Sequence, residues 1–212
     1  MASNINLQKL DPIQNQALRI SSGAFRTSPV INLHVDSAIF PLQHHRNCLI
    51  LIYFQKLLSQ PQHLNTYRIK TTSPFSQKCQ QLLLLYNINE KYLHLNVSTS
   101  IFRKFITPNI ISHLQDTWNM ESSNKLQSIK PIWESWKTSF HRQRSVEKII
   151  TRLRIGHSFI THKHLFSKLP PPICDSCDVL VDIEHLLNFC IRFNDARNTV
   201  YNSTVSWARR CV

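Results

Sequence analysis

Apolar residues recur at helical steps over most of this chain. Leu7, Leu10, Ile13, Ala17, Leu18 and Ile20 follow one another at roughly helical spacing, and Gly23 is a plausible stop. Pro41 opens a second predicted helix through about Ser59, with Leu42, Leu49, Ile52, Tyr53, Lys56 and Leu57 on its buried side. Phe75 to Tyr86 is a third, rich in leucine. Ile110, Ile111, Leu114 and Trp118 resume the helical step, and residues 145–156 form a clear amphipathic helix. Ser145 is its candidate N-cap, Ile149, Ile150 and Leu153 form its apolar face, and Gly156 lies at its end. Shorter helices are expected at 161–167 and 181–190, and a closing helix at 195–210. Two stretches break the pattern. Residues 25–39, with Pro29 and alternating Val30, Leu33 and Val35, read as a loop or a short extended piece. Residues 87–108 are polar, lack a period and read as a junction.

The expected fold class is therefore mainly α. Its three expected parts are a helical segment over 1–86, a junction over 87–108, and a helical tail over 109–212. Trp133 and Trp136 read as core anchors, as do Cys48 and Cys79 in their apolar stretches.

Chemistry concentrates near the end of the tail. Cys174, Cys177, His185 and Cys190 have the spacing C-x2-C-x7-H-x4-C. Three thiols and one imidazole in so short a window are the ligand set of a closed tetrahedral structural zinc site. The first pair suits a tight turn and the second a short helix, which makes a zinc knuckle at 174–190. With all four positions filled by protein, no place remains for a reactive water, so binding is expected rather than hydrolysis. The distant Cys211 is set aside as a ligand.

Charge adds a partner class. The 212 residues carry 25 Lys+Arg against 12 Asp+Glu, a net charge of +13. Arg142, Arg144, Arg152, Arg154 and Lys163 lie in a basic stripe between Lys137 and Lys168 that holds a single acid, Glu147. That stripe fits contact with an RNA or DNA phosphate backbone. The competing reading is a solvated helix face on a scaffold or protein-interaction module that uses the zinc only structurally.

Several classes are disfavoured. Only two glycines, Gly23 and Gly156, occur, so glycine-rich phosphate loops are absent, and no small-molecule substrate is expected. The acids before Cys174 are scattered, and none form a pair for two magnesium ions. No apolar run reaches transmembrane length, and the N-terminus lacks a secretory core, so an intracellular site, nucleus or cytoplasm, is expected. In such a reducing compartment, clustered Cys and His indicate metal rather than disulfides.

The segments Ile149-Ile-Thr-Arg-Leu-Arg-Ile-Gly-His157, Thr161-His-Lys-His-Leu-Phe166, Pro171-Pro-Ile-Cys-Asp-Ser-Cys177 and Ile183-Glu-His-Leu-Leu-Asn-Phe-Cys190 resemble the C-terminal tail of jockey-like non-LTR retrotransposon polyproteins. Residues 119–140 resemble the segment just after that family's ribonuclease H domain. Leu10-Asp-Pro-Ile-Gln-Asn-Gln-Ala-Leu-Arg19, continuing to Pro29, resembles the thumb and connection after its polymerase palm. The resemblance implies that 1–86 derive from thumb and connection, and that a ribonuclease H domain is missing at 87–108. The polymerase aspartates would lie upstream of Met1. Both sets of catalytic carboxylates are then absent. The chain is expected to be a non-catalytic fragment of an RNA-directed DNA polymerase polyprotein, with zinc-dependent nucleic-acid binding as its residual activity. Only the zinc ligands carry over from the family.

Overall fold

The computed structural model describes residues 4–59, 73–136 and 143–200. Their architecture is mainly helical, and no strand occurs among the described residues. Helices α1 (Asn4–Gln8) and α2 (Leu10–Ser22) lead to Gly23, whose φ of 69° lets its N–H close back on Arg19 O. Helix α4 (Leu42–Ser59) follows Pro41 as expected. Helix α5 (Pro74–Leu85) starts at Ser73, whose hydroxyl accepts from Ser76 N–H, with Pro74 in the first turn.

The two irregular stretches are where the structure departs from the sequence reading. Val30–Ser37 is helix α3, entered through Pro29 and ended by Ala38 at φ 54°. Five of its residues, Asn32 to Asp36, are buried consecutively, so it has no polar face to reveal a helical period. The expected junction is likewise structured. Glu90–His94 forms a 3-10 turn, and Thr99–Asn119 forms α6, the longest helix described. Ser98 caps it by accepting from Ile101 N–H. Phe102, Ile106, Ile110, Leu114 and Trp118 recur every four residues and are all buried. Pro108 sits inside this helix on its exposed side.

Helix α6 packs on α4, and α4 on α5 and the 3-10 turn. Gln55 of α4, itself buried, donates to Leu95 O and so ties that turn down. The chain then passes through α7 (Lys125–Ile129), capped by Asn124, to α8 (Arg144–Ile155). Gln143, not Ser145, occupies the N-cap of α8, without a side-chain cap. Helix α8 returns to pack on α2, α3 and α7.

One apolar cluster runs from Leu18, Leu33 and Val35 through Leu51, Leu82 and Tyr86 to Trp118, Leu126, Trp133 and Ile155. The first half is thus packed into the same core as α6 and α8. Of the leucine run, Leu82 and Leu83 are buried, while Leu84 and Leu85 are exposed. Trp133 and Cys79 are core residues, and Trp136 and Cys48 pack against the core from its edge.

A short polar seam fixes α3 beneath α7 and α8. Asn32 and Asn124 exchange side-chain hydrogen bonds in both directions. Lys130, almost fully buried, donates from Nζ to Val35 O at 2.6 Å. Trp118 Nε1 donates to Lys130 O at 2.8 Å.

Candidate metal centre

After α8 come two single-turn helices, α9 (Phe159–His162) and α10 (His164–Ser167). The prolines at 170–172 then deliver the chain to a tight hairpin. Ile173 pairs with Leu180, Cys174 N–H donates to Val179 O, and Val181 N–H to Pro172 O. Inside the turn, Cys177 and Asp178 N–H both donate to Cys174 O, and Asp178 takes a left-handed φ of 53°. This local hydrogen bonding turns Cys174 and Cys177 toward one point.

Asp182 begins the second ligand pair. Its carboxylate accepts from His185 N–H at 2.7 Å and pairs with Lys125 of α7 at 2.5 Å. Those interactions hold its carboxyl below the ordinary range against the opposing effect of burial. His185–Phe189 is a wide π-type turn closed by Cys190 N–H on His185 O at 2.7 Å. The sequence predicts an ordinary short helix here. The wider turn places His185 and Cys190 five residues apart on one side. Arg197, from the helical residues 194–200, donates to Cys190 O and Leu186 O and satisfies the carbonyls at the turn's end.

The four side chains converge. Cys174, Cys177, His185 and Cys190 offer ligand atoms that all lie within 4.8 Å of one another. The Cys174 and Cys190 sulfurs are 3.7 Å apart. Zinc–sulfur bonds of about 2.3 Å would set two sulfurs about 3.8 Å apart in a tetrahedron. Cys174, Cys190 and His185 are buried, and His185 Nε2 is enclosed without a hydrogen-bond partner. An orphaned buried imidazole nitrogen among thiols is a defect that a metal–nitrogen bond would remove. The Cys174 thiol is held down to about 6, first by the His185 side chain beside it and then by the Ser176 backbone. A donor set of three thiols and one imidazole suits a soft, tetrahedral divalent ion. The residues therefore form a Cys3His cluster able to hold one metal ion.

The basic stripe is arranged differently from a free cationic face. Arg142, Lys137, the part of the expected closing helix beyond residue 200, and Cys211 lie outside the described residues. Arg144 donates to Ile20 O and Ser21 O, and Arg152 Nε donates to Gly23 O at 2.9 Å. Both guanidiniums close the C-terminal carbonyls of α2. Arg154 faces Asp36 at 3.8 Å and lies 4.1 Å from the centre of the Trp136 ring. Lys163 is exposed, with Nζ 4.9 Å from the Phe159 ring centre.

The buried group around Asp36 carries no signal in the sequence. Asp36, Lys130, Trp136, Thr151 and Arg154 come from three separated segments. Burial raises the Asp36 carboxyl against the pull of Trp136, Arg154 and Lys130, and burial lowers the Lys130 ammonium to about 8.

No family model matches this chain, and no curated protein or solved structure matches it. Among the described residues, no helix is long and apolar enough to cross a membrane.

Proposed function

We propose that this chain is a metal-stabilised, non-catalytic nucleic-acid-binding module. The observation that carries the reading is the closed Cys3His cluster in a chain of net charge +13. The metal is zinc, one per chain, and when bound it supplies folding free energy to the tail. Cys174 and Cys177 present their sulfurs from the hairpin, while His185 and Cys190 do so from the wide turn. Asp182 and Arg197 hold that turn in place. The excess of cations attracts an RNA or DNA backbone. In keeping with the resemblance described above, the chain is a remnant of a retrotransposon reverse-transcriptase polyprotein, acting inside the cell without polymerase or ribonuclease H activity of its own.

A second reading is favoured by a specific observation. Arg144, Arg152 and Arg154 are engaged within the fold. The chain would then be a helical scaffold or protein-interaction module whose zinc is purely structural.

The test is the metal content of purified protein beside a Cys174→Ser/Cys177→Ser variant, with circular dichroism on both. It is followed by oligonucleotide binding across a salt series and by polymerase and nuclease assays with magnesium. About one zinc per chain, lost with tail structure in the variant, and binding that weakens steeply with salt support the proposal. Zinc without any oligonucleotide binding selects the scaffold. A folded chain without zinc removes the metal reading, and magnesium-dependent activity removes the non-catalytic one.

A further inference from the structure

The metal-binding segment is itself unsuited to phosphate. From Cys174 to Cys190 it carries Asp175, Asp178, Asp182 and Glu184 and no Lys or Arg. Three bound thiolates would add more negative charge than a divalent ion removes. Three arginines of the basic stripe are engaged within the fold, as described above. Binding a polyanion therefore calls for cations elsewhere.

Such a surface exists where the 3-10 turn meets the first half of α6. Between residues 87 and 115 the only acid is Glu90, against Lys91, Arg103 and Lys104. All three cations are exposed. The pairs Arg46–Asp11, Lys125–Asp182 and Arg154–Asp36 do not involve them. Arg103 and Lys104 line an open groove with Thr99, Ser100, Thr107 and Pro108. Cations interleaved with hydroxyls are the side chains that contact phosphate oxygens. On the adjoining flank, Phe105 stacks on Tyr92 with ring centres 5.4 Å apart and planes 11° from parallel. Lys91 Nζ lies 5.4 Å from the Tyr92 ring centre. Phe105 is 41% exposed although it is aromatic and the core lies close by. An exposed ring ending an aromatic stack, beside a cationic groove, offers a base the next layer while the backbone runs along the cations.

We infer that this groove, with Arg103, Lys104 and Lys91 on the phosphates and Phe105 stacking on a base, is a binding site for single-stranded nucleic acid. Inside a duplex every base is already stacked on both faces and only the terminal pairs have a free one, so the site favours single strands. The inference rests on the nucleic-acid reading above and relocates its contact surface.

The experiment is fluorescence anisotropy of a labelled oligothymidylate and a matched duplex, with the whole metal-loaded chain, across a salt series. Arg103→Ala/Lys104→Ala should weaken single-strand binding at least tenfold. It should also flatten the log–log salt slope by about 1.4, two contacts at about 0.7 each. Phe105→Ala should weaken binding roughly five- to a hundredfold and leave the slope unchanged. The cation pair is solvent-facing, so its salt slope remains a readout even if the Phe105 variant is unstable. Wild-type-like binding by both variants, with loss in Arg142→Ala/Lys163→Ala, overturns this site and leaves the proposed function standing. Binding that polyglutamate displaces equally well, indifferent to Phe105, overturns the nucleic-acid assignment in favour of an acidic protein partner. A chain that binds no oligonucleotide at all overturns both.

Discussion

Trp136 donates its indole N–H to the Asp36 carboxylate at 3.0 Å, joining residues a hundred positions apart. The same carboxylate faces Arg154 and accepts from Thr151, and Lys130 Nζ donates to the backbone beside it. Lys130 and Arg154 also stand over the Trp136 ring, at 4.6 and 4.1 Å. Two cations are thus held beneath the surface by one carboxylate and one aromatic face. Removing the acid leaves both uncompensated. Asp36→Ala should cost about 3 kcal/mol or more, and Trp136→Phe about 1 kcal/mol, in urea unfolding. An Asp36→Ala variant as stable as wild type would show that the cluster contributes nothing to folding.

Acid should destabilise the α4–α5 contact through His44. Tyr86 OH accepts from Asn47 Nδ2, which leaves its hydrogen for His44 Nδ1. That bond requires an unprotonated Nδ1. Burial lowers the His44 imidazole to about 4 from an ordinary 6.5, with help from nearby His113 and His34. A neutral form favoured in the folded state gives stability that is complete above 6.5 and lost as pH falls from 6.5 toward 4. His44→Phe should flatten the dependence in that window relative to wild type. The Cys3His cluster is the same in both proteins, so the difference in slope isolates His44.

Both glycines are required by the backbone, though for different surroundings. Gly23 and Gly156 take φ of 69° and 82°. A Cβ at Gly23 would lie 2.1 Å from Lys148 Cγ, whereas one at Gly156 meets only Lys125 Cδ at 3.5 Å. Gly156→Ala should therefore cost about 1 kcal/mol from backbone strain alone. Gly23→Ala should cost more, because Lys148 must also move. Equal losses in thermal unfolding would contradict the steric argument.

Pro108 lies on the solvent side of α6, four residues beyond Lys104, whose carbonyl it leaves without a helical N–H donor. Pro108→Ala should raise stability by on the order of 1 kcal/mol or more and strengthen the helical circular dichroism. A lower melting temperature would mean that the proline shapes a bend the core needs.

That proline also explains the largest misreading of the sequence. A helix interior seldom contains Pro, which splits the pattern 102, 106, 110, 114, 118 at its middle, and the polar residues of 87–108 hide the period of its first half. The every-fourth-residue repeat of Phe102, Ile106 and Ile110 was the signal that could have found it. Helix α3 hid for the opposite reason. Five of its eight residues are buried in a row, polar ones included, because Asn32, His34 and Asp36 find partners on other segments. The Cys3His cluster was legible because all its constraints are local: a turn that turns two sulfurs inward, and a further turn five residues wide.

Local chemistry is therefore what the amino-acid order determined by itself. It specified helices bounded by Pro, Gly and capping Ser or Asn, a Cys3His set at metal-ligand spacing, and a large positive charge. Tertiary structure decided which of the charges are free. A guanidinium on an amphipathic helix looks the same in sequence whether it faces solvent or another helix's carbonyls. Only the packing of α8 on α2 and α3 committed Arg144, Arg152 and Arg154 to the fold, while Arg103 and Lys104 were left at the surface. The physical reason is range: turns and ligand spacing act over a few residues, whereas desolvation and pairing of a charge depend on what distant segments bring against it.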